Sequence, residues 1–435
     1  MADEQRSLDT SRVEREGEEV EGSREPAPLT GLTEQESRIR RLQQLLCEAQ
    51  LDAYLVTQNV DLYYLTGSMQ AGYLLVPAAG EPTYYVRRSV ARAVAESVVR
   101  TTSLGSFRSF AATLAADYPQ LLGGGQQLRI ATELDVLPAQ LYLKLNEVLN
   151  AGAAHVKLTD GSPLMRSLRM IKSDVEVERI AAAAAVVEEA LAAALPAMRA
   201  GMQELEWMAL LELELRRRGH IGLMRMRGYN QEIMTGMVGS GEAAAEPSYF
   251  DGPAGGRGLG PAAPQSVSRK LLAEDEPILI DIGCCIDGYV IDQTRTAVIG
   301  SLPEELLQAY ETAVSIIRRT EQMLRPGVSC EAVYEQALRL ADEAGLGAHF
   351  MGCGADQVRF LGHGIGLEID EWPVLAAGFA TPLAAGMVLA VEPKFTFPGK
   401  GVVGIENTYL ITADGPVALT RTPEELIILP RSRHE

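Results

Sequence analysis

The stretch Pro277–Thr296, PILIDIGCCIDGYVIDQTRT, constrains this chain more than any other. Ile278, Leu279 and Ile280 suit a buried strand, Asp287-Gly288 is a strong two-residue turn signal, and Tyr289, Val290 and Ile291 begin a return strand. The pattern predicts a β-hairpin with Asp281 and Asp292 on opposite arms, eleven residues apart. A turn centred on Ile286-Asp287 sets the two aspartates face to face. A turn on Asp287-Gly288 sets Asp292 across from position 283, on the face that Asp281 shares. Either register leaves the carboxylates roughly 5–8 Å apart. Two carboxylates that close in an apolar hairpin repel each other and are costly to bury, and a bound cation removes the cost. For the hairpin alone, two solvated aspartates are the ordinary alternative.

Three later motifs shift that balance: Gly362-His363-Gly-Ile-Gly366, Val391-Glu392-Pro393 and Gly404-Ile-Glu406-Asn407. Taken with Thr294-Arg295-Thr296 beside the second aspartate, the chain resembles the pita-bread metallohydrolases, which include aminopeptidase P, prolidase, methionine aminopeptidase and creatinase. The resemblance spans roughly residues 35 to 430 and lies nearest the Xaa-Pro aminopeptidase and prolidase group. Independently of it, four carboxylates and one imidazole form a hard donor set that suits Mn²⁺, Fe²⁺, Co²⁺ or Zn²⁺. Such a set can hold two metals about 3.5–4 Å apart.

The resemblance implies two divalent ions, Mn²⁺ first, with Fe²⁺, Co²⁺ or Zn²⁺ as alternatives. It implies that Asp292 and Glu406 bridge them, that Asp281 chelates one, and that His363 and Glu392 complete the other. It further implies a hydroxide held between the metals as the nucleophile on an amide bond, with Glu392 as proton shuttle. The glycines around His363 are expected to let backbone come close to the metals.

The chain also departs from the family. The second histidine of the aminopeptidases, seven residues after the ligand histidine, is here Asp370. A further substrate-facing histidine is replaced by Ser248 or a neighbour, and no histidine lies between His220 and His349. The arginine that aminopeptidase P carries two residues before its last ligand is here Gly404. Losing one oxyanion donor of this kind typically costs about 10²–10³ in rate. Arg225, Arg227, Tyr249 and Arg257 are therefore candidate replacement donors along with Tyr229, and Ser248 is a candidate contact. Asp370 is expected to bind a cationic or amine part of the substrate, or to orient Arg225 or Arg227. The alternative is a pita-bread enzyme that has left peptide chemistry: a creatinase-like C–N hydrolase or a lyase on a small metabolite. A metal-free binding protein is a third reading, against which the intact ligand set stands. The glycine-rich run Gly252–Gly260 lacks the strand and the Lys-Ser/Thr of a phosphate cradle and reads as a flap, with Arg257 as a carboxylate hook.

The expected fold is α+β: a pita-bread catalytic domain with an α/β creatinase-type amino-terminal domain. Residues 1–32 are rich in Glu, Arg, Ser and Pro and read as a disordered acidic tail. Residues 33–165 form the amino-terminal domain, with a capping box at Thr33–Glu36 and strands at Ala53–Val56, Tyr73–Pro77, Thr83–Val86 and Arg129–Thr132. The passage from Leu51 to Gly67 is similar to the amino-terminal domain of creatinase, prolidase and aminopeptidase P, which implies a homodimer. Residues 166–435 form the catalytic domain, with helices over 174–198, 203–218, 303–324 and 330–345 and a last strand at Leu426–Leu429. Pro303 is placed at a first helical position.

A formal charge of −19 argues against a general nucleic-acid surface and against anionic membranes. No apolar run is read as reaching the roughly 18–20 residues of a membrane span. The acidic start carries no signal peptide. Five cysteines without zinc-type spacing read as reduced thiols in a cytoplasmic protein, with Cys284 and Cys285 as packing residues. The implied partner is a small peptide or small-molecule substrate.

Overall fold

A computed structural model of the protein describes residues 32–122, 127–151, 155–233 and 235–431. The expected tail, 1–32, lies outside the described residues except for Leu32, which opens the helix Leu32–Glu48. That helix starts one residue before the expected capping box, so Thr33 lies inside it.

The amino-terminal part is a six-stranded mixed sheet. Its strands are β1 (Ala53–Val56), β2 (Gly72–Pro77), β3 (Thr83–Val86), β4 (Arg100–Ser103), β5 (Gln127–Thr132) and β6 (His155–Asp160), in the order β4-β3-β2-β1-β5-β6. β4 and β6 carry more polar residues than their neighbours and did not stand out from the sequence. Both are edge strands, and an edge needs less burial than a centre. Between β1 and β2 the helix Asn59–Thr66 ends on Gly67 in the left-handed region (φ 83°), as its sequence suggests.

The catalytic part is α+β, with two pairs of helices on two sheets. β7 (Gly236–Ser240), β8 (Pro277–Ile286), β9 (Tyr289–Ile299) and, from the far end of the chain, β17 (Ile427–Leu429) make a four-stranded sheet ordered β17-β9-β8-β7. Helix Asp174–Ala194 packs on β8 and β9. The second sheet contains β10 (Phe360–Gly364), β11 (Glu371–Ala376), β12 (Val388–Val391), β15 (Asn407–Thr412) and β16 (Gly415–Ala418), ordered β11-β10-β12-β15-β16. β13 (Lys394–Phe397) and β14 (Gly401–Gly404) form a separate two-stranded ribbon, and β14 packs against β8 and β9 of the first sheet. Helices Glu304–Met323 and Cys330–Glu343 cover this half. Pro303 immediately precedes the first of them, at the cap and not at the first helical position.

Helix Asp174–Ala194, with the turn that follows it, is long and apolar enough to cross a membrane by length and composition, although Glu188 and Glu189 interrupt its apolar run. Its alanine content gives it that apolar character. One face, Ile180, Ala183, Ala184, Val187, Ala190 and Leu191, is buried in the core, and small side chains let the helix lie close to the hairpin.

An ion-pair cluster joins the two parts. Arg169 contacts Asp61 and Glu368 at 2.8 Å each and Glu371 at 2.5 Å, while Lys172 lies 3.0 Å from Glu371. Arg227 binds Asp61 at 2.9 Å and Asp135 at 2.7 Å. Burial opposes ionisation of Glu371, but Arg169 and Lys172 hold its carboxyl down at about 2. The cluster anchors both ends of the loop that carries Asp370.

Candidate metal centre

The β8–β9 hairpin turns on Asp287-Gly288, with φ of 49° and 90°, the pair of left-handed residues that a tight hairpin turn requires. Asp292 is consequently paired with Gly283, and Asp281 with Thr294. This is the second of the two registers considered, and it leaves both carboxylates on one face.

The Thr-Arg-Thr motif joins this hairpin to the other half of the domain. Arg295 is completely buried, and its guanidinium donates to the carbonyls of Thr294, Glu406, Thr422 and Pro423 and to Asn407 Oδ1. These contacts use the full donor set of a guanidinium. Thr294 Oγ1 donates to Glu406 Oε2 at 2.7 Å, and Thr296 Oγ1 to the Gly404 carbonyl at 2.7 Å. Glu406 is thereby carried from the second sheet to the face of the hairpin.

His363 lies mid-strand in β10, opposite Ala390 of β12 and Val374 of β11. A Cβ on Gly362 would meet the Ala390 carbonyl oxygen at 2.1 Å, and one on Gly364 the Trp372 carbonyl oxygen at 2.3 Å. The flanking glycines therefore make room for the neighbouring strands. His363 Nδ1 lies 3.1 Å from the Gly364 carbonyl, which can only accept, so Nδ1 carries the proton and Nε2 is free to bind a cation. Asp370 Oδ1 lies 3.4 Å from the same Nδ1. Glu392, just past β12, places Oε1 3.7 Å from His363 Nε2.

The five residues singled out as ligands thus converge. Asp292, His363 and Glu406 each offer a donor atom within 4.8 Å of the others. Glu406 Oε1 is buried with no hydrogen-bond partner. An orphaned carboxylate oxygen among two further donors fits a divalent cation.

One residue in the centre was not anticipated. Lys394, the first residue of β13, is completely buried, with Nζ 2.5 Å from Glu392 Oε2, 3.1 Å from Asp281 Oδ2 and 3.4 Å from Glu406 Oε2. The signal was present as a lysine two residues after Glu392, a spacing that returns a side chain to the same face of an extended chain. The donor set therefore fits one cation readily, whereas the oxygens expected around a second already surround an ammonium.

Burial is the largest influence raising the Glu392 carboxyl, to about 7, aided by Glu406 and Asp281 and opposed by Lys394 and His363. Burial, then Glu406 and Asp281, also push the Asp292 carboxyl well up. For His363, burial acts downward, but Asp370, Glu392 and Glu406 outweigh it and raise the imidazole. Each shift upward favours the protonated folded state, a contribution fully present below the ordinary value and lost as pH rises through the folded one. Chelator-treated protein is therefore expected to melt at a lower temperature at pH 8 than at pH 5.5. Glu392→Gln should shrink that slope without removing it, because the buried Glu133 carboxyl, also raised to about 7, has the same sign. Equal slopes in thermal melts of the two proteins would refute this account.

A cleft opens onto the centre. Met224, Ile233, Phe250, Phe360 and Ile369 form apolar walls, and Asp281, Asp292, His363, Glu392, Asp251 and Asp370 face it. Among the described residues no lysine or arginine lines this cleft. The expected substrate contacts fare differently. Asp370 lies at the cleft, with its side chain 45% exposed. Arg227 does not line it, being tied to Asp61 and Asp135. Arg225 donates to Met69 Sδ at 3.6 Å, and its carbonyl accepts from the Ile369 amide, so it is not held by Asp370. Arg257 pairs with Glu242 and Glu246 on its own segment. Ser248 and Tyr249 line a neighbouring cavity, and it is Phe250–Gly255 that walls the cleft. Cys284 and Cys285 are buried with thiols pushed up to about 12 and about 11, chiefly by burial, which suits packing residues.

Comparison with known proteins agrees with this arrangement. Residues 178–413 match the model of metallopeptidase family M24, and residues 38–171 that of the creatinase/prolidase N-terminal domain. The chain is 27% identical over 392 residues to the Xaa-Pro dipeptidase of Pyrococcus horikoshii, covering 90% of this chain and 98% of that one. Among solved structures, the Xaa-Pro dipeptidase from Bacillus anthracis superposes with a TM-score of 0.76 at 26% identity, over 91% of this chain and all (100%) of the other. Dipeptidase PepE from Mycobacterium ulcerans gives 0.75 at 26% identity, over 92% and 99%.

Proposed function

We propose, from the premise that this chain belongs to metallopeptidase family M24, that it is a metal-dependent hydrolase cleaving an amide bond beside a free amino group in a small substrate. The observation that carries the second half of this reading is the cleft: carboxylates at its mouth, Asp370 and Asp251, and no basic side chain among its described lining. Such a surface receives an amine and repels a carboxylate. Xaa-Pro dipeptides present both groups, whereas a longer Xaa-Pro peptide keeps its carboxylate far from the amine.

Asp292, His363, Glu392 and Glu406 would hold the metal, with Asp281 beside them. A divalent ion there, Mn²⁺ first and Fe²⁺, Co²⁺ or Zn²⁺ as alternatives, would supply Lewis acidity and lower the pKa of water. Glu392 lines the cleft with Oε1 3.7 Å from His363 Nε2, a position suited to accepting a proton from water and delivering it to the leaving nitrogen. Asp370 accepts from the substrate amine, and the apolar walls take the adjoining side chain. All five cysteines are free, which supports a reducing, cytoplasmic location. We infer a homodimer from the amino-terminal domain, a reading that light scattering tests.

A panel of Xaa-Pro dipeptides, Xaa-Pro tripeptide amides and their N-acetylated forms tests the proposal. The tripeptide amides are expected to be cleaved best and the acetylated forms poorly. Asp370→Asn is expected to raise KM for the free-amine substrates about 10-fold, the loss of one charge-assisted hydrogen bond. Equal cleavage of acetylated substrates would overturn the amine reading. The acidic cleft also favours a second reading, a C–N hydrolase acting on a small amidino compound. Turnover of such compounds, with every amide left intact, would select it.

A further inference from the structure

We infer that the Lys394 ammonium permanently occupies one of the two cation positions in this centre, so that the chain binds a single divalent ion. The inference rests on the reading above that the centre holds metal, and it specifies how many ions and where.

The argument is one of divided oxygens. Glu392 sends Oε2 to Lys394 Nζ at 2.5 Å and turns Oε1 toward His363 Nε2, 3.7 Å away. Glu406 does the same, with Oε2 toward Lys394 at 3.4 Å and Oε1 buried without a partner. Asp281 Oδ2 completes the ammonium's surroundings at 3.1 Å. One side of the centre is therefore satisfied by a cation that is part of the chain. The other side offers donor atoms of Asp292, His363 and Glu406 within 4.8 Å of one another, a set that fits a divalent ion.

The lysine is also built in. Lys394 pairs across the ribbon with Gly404, where a Cβ would lie 2.6 Å from Lys394 Cγ and 2.7 Å from the Pro393 carbonyl oxygen. Gly404 is the position at which aminopeptidase P carries an arginine. Here the absence of a side chain makes room for the lysine stem, which is wholly buried. Lys394 donates to Glu392 Oε2 and Glu406 Oε2 and is ion-paired with Asp281 Oδ2, so all three of its charged neighbours are carboxylates of the centre. It is a positioning residue that neutralises and spaces the carboxylates.

The test is a metal count by mass spectrometry, with electron paramagnetic resonance, on full-length protein loaded with Mn²⁺ alone and desalted. Wild type is expected to hold one equivalent per chain with an uncoupled Mn²⁺ signal. Lys394→Met is expected to hold two, with an exchange-coupled signal. Two coupled equivalents in wild type would overturn the inference, as would a single equivalent in folded Lys394→Met. The wild-type count decides by itself if that variant does not fold. No Mn²⁺ in wild type, with Fe²⁺, Co²⁺ and Zn²⁺ equally unbound, would instead overturn the metal-dependent reading on which the inference rests.

Discussion

Asp292→Asn is expected to reduce turnover by about 10³-fold or more and to bring bound metal well below one equivalent. Removing an outer partner of a metal ligand commonly costs about 10–100-fold, and a ligand itself costs more. Asp292 is nearly buried, it faces His363 and Glu406, and its backbone is fixed in the longest hairpin of the fold. The amide is nearly the same size as the carboxylate, so the loss arises from charge and not from packing. The Gln293 amide donates to Asp292 Oδ1 at 3.0 Å, a bond that the asparagine oxygen preserves, so the fold should persist. Circular dichroism and metal analysis of the same preparation separate the two effects. Full activity with metal bound would remove Asp292 from the ligand set.

The largest effect on stability is expected at the junction of the two domains. Arg169→Met should destabilise the protein by about 3–5 kcal/mol, because it leaves buried carboxylates facing one another without their common counter-charge. Asp61, Glu368 and Glu371 all contact that one guanidinium, and Lys172 and Arg227 compensate only in part. A fall in melting temperature of about 5–10 °C is anticipated. Arg92→Met, at an exposed pair with Glu96, is the control and should change little. Equal melting temperatures for the two variants would show that the cluster contributes no more than a surface pair. Because Glu371 adjoins Asp370, the Arg169 variant should also lose substrate affinity, which connects the amino-terminal domain to the cleft through one loop.

Much of this protein was legible in one dimension. The hairpin follows from local rules, apolar alternation and an Asp-Gly turn, and local rules act between residues close in sequence. The convergence of the five candidate side chains was legible because several sit in short motifs whose neighbours have their own structural duty: Arg295 as a clamp, and Gly362 and Gly364 as spacers between strands. The long helices were legible from their periodicity, while the edge strands β4 and β6 were not picked out: β4 has no buried position, and β6 shows its alternation only through Val156 and Leu158.

What only the tertiary structure decided concerns direction and partnership between residues far apart. Arg225, Arg227 and Arg257 are plausible donors by composition, yet two of them are bound to acids and the third lies off the cleft. A guanidinium pairs with whatever carboxylate the fold brings near, and sequence does not reveal which one that is. Ser248 and Phe250 are two residues apart, yet Phe250 reaches the cleft while Ser248 lines only the neighbouring cavity. The decisive case is Lys394. In sequence it is one lysine among 39 basic residues. Only when β13 pairs with β14, and Gly404 leaves space across the ribbon, does its ammonium reach Asp281, Glu392 and Glu406. Those three carboxylates come from segments more than a hundred residues apart at the extreme. Electrostatic partnership depends on distance in space, and here that distance is set by packing.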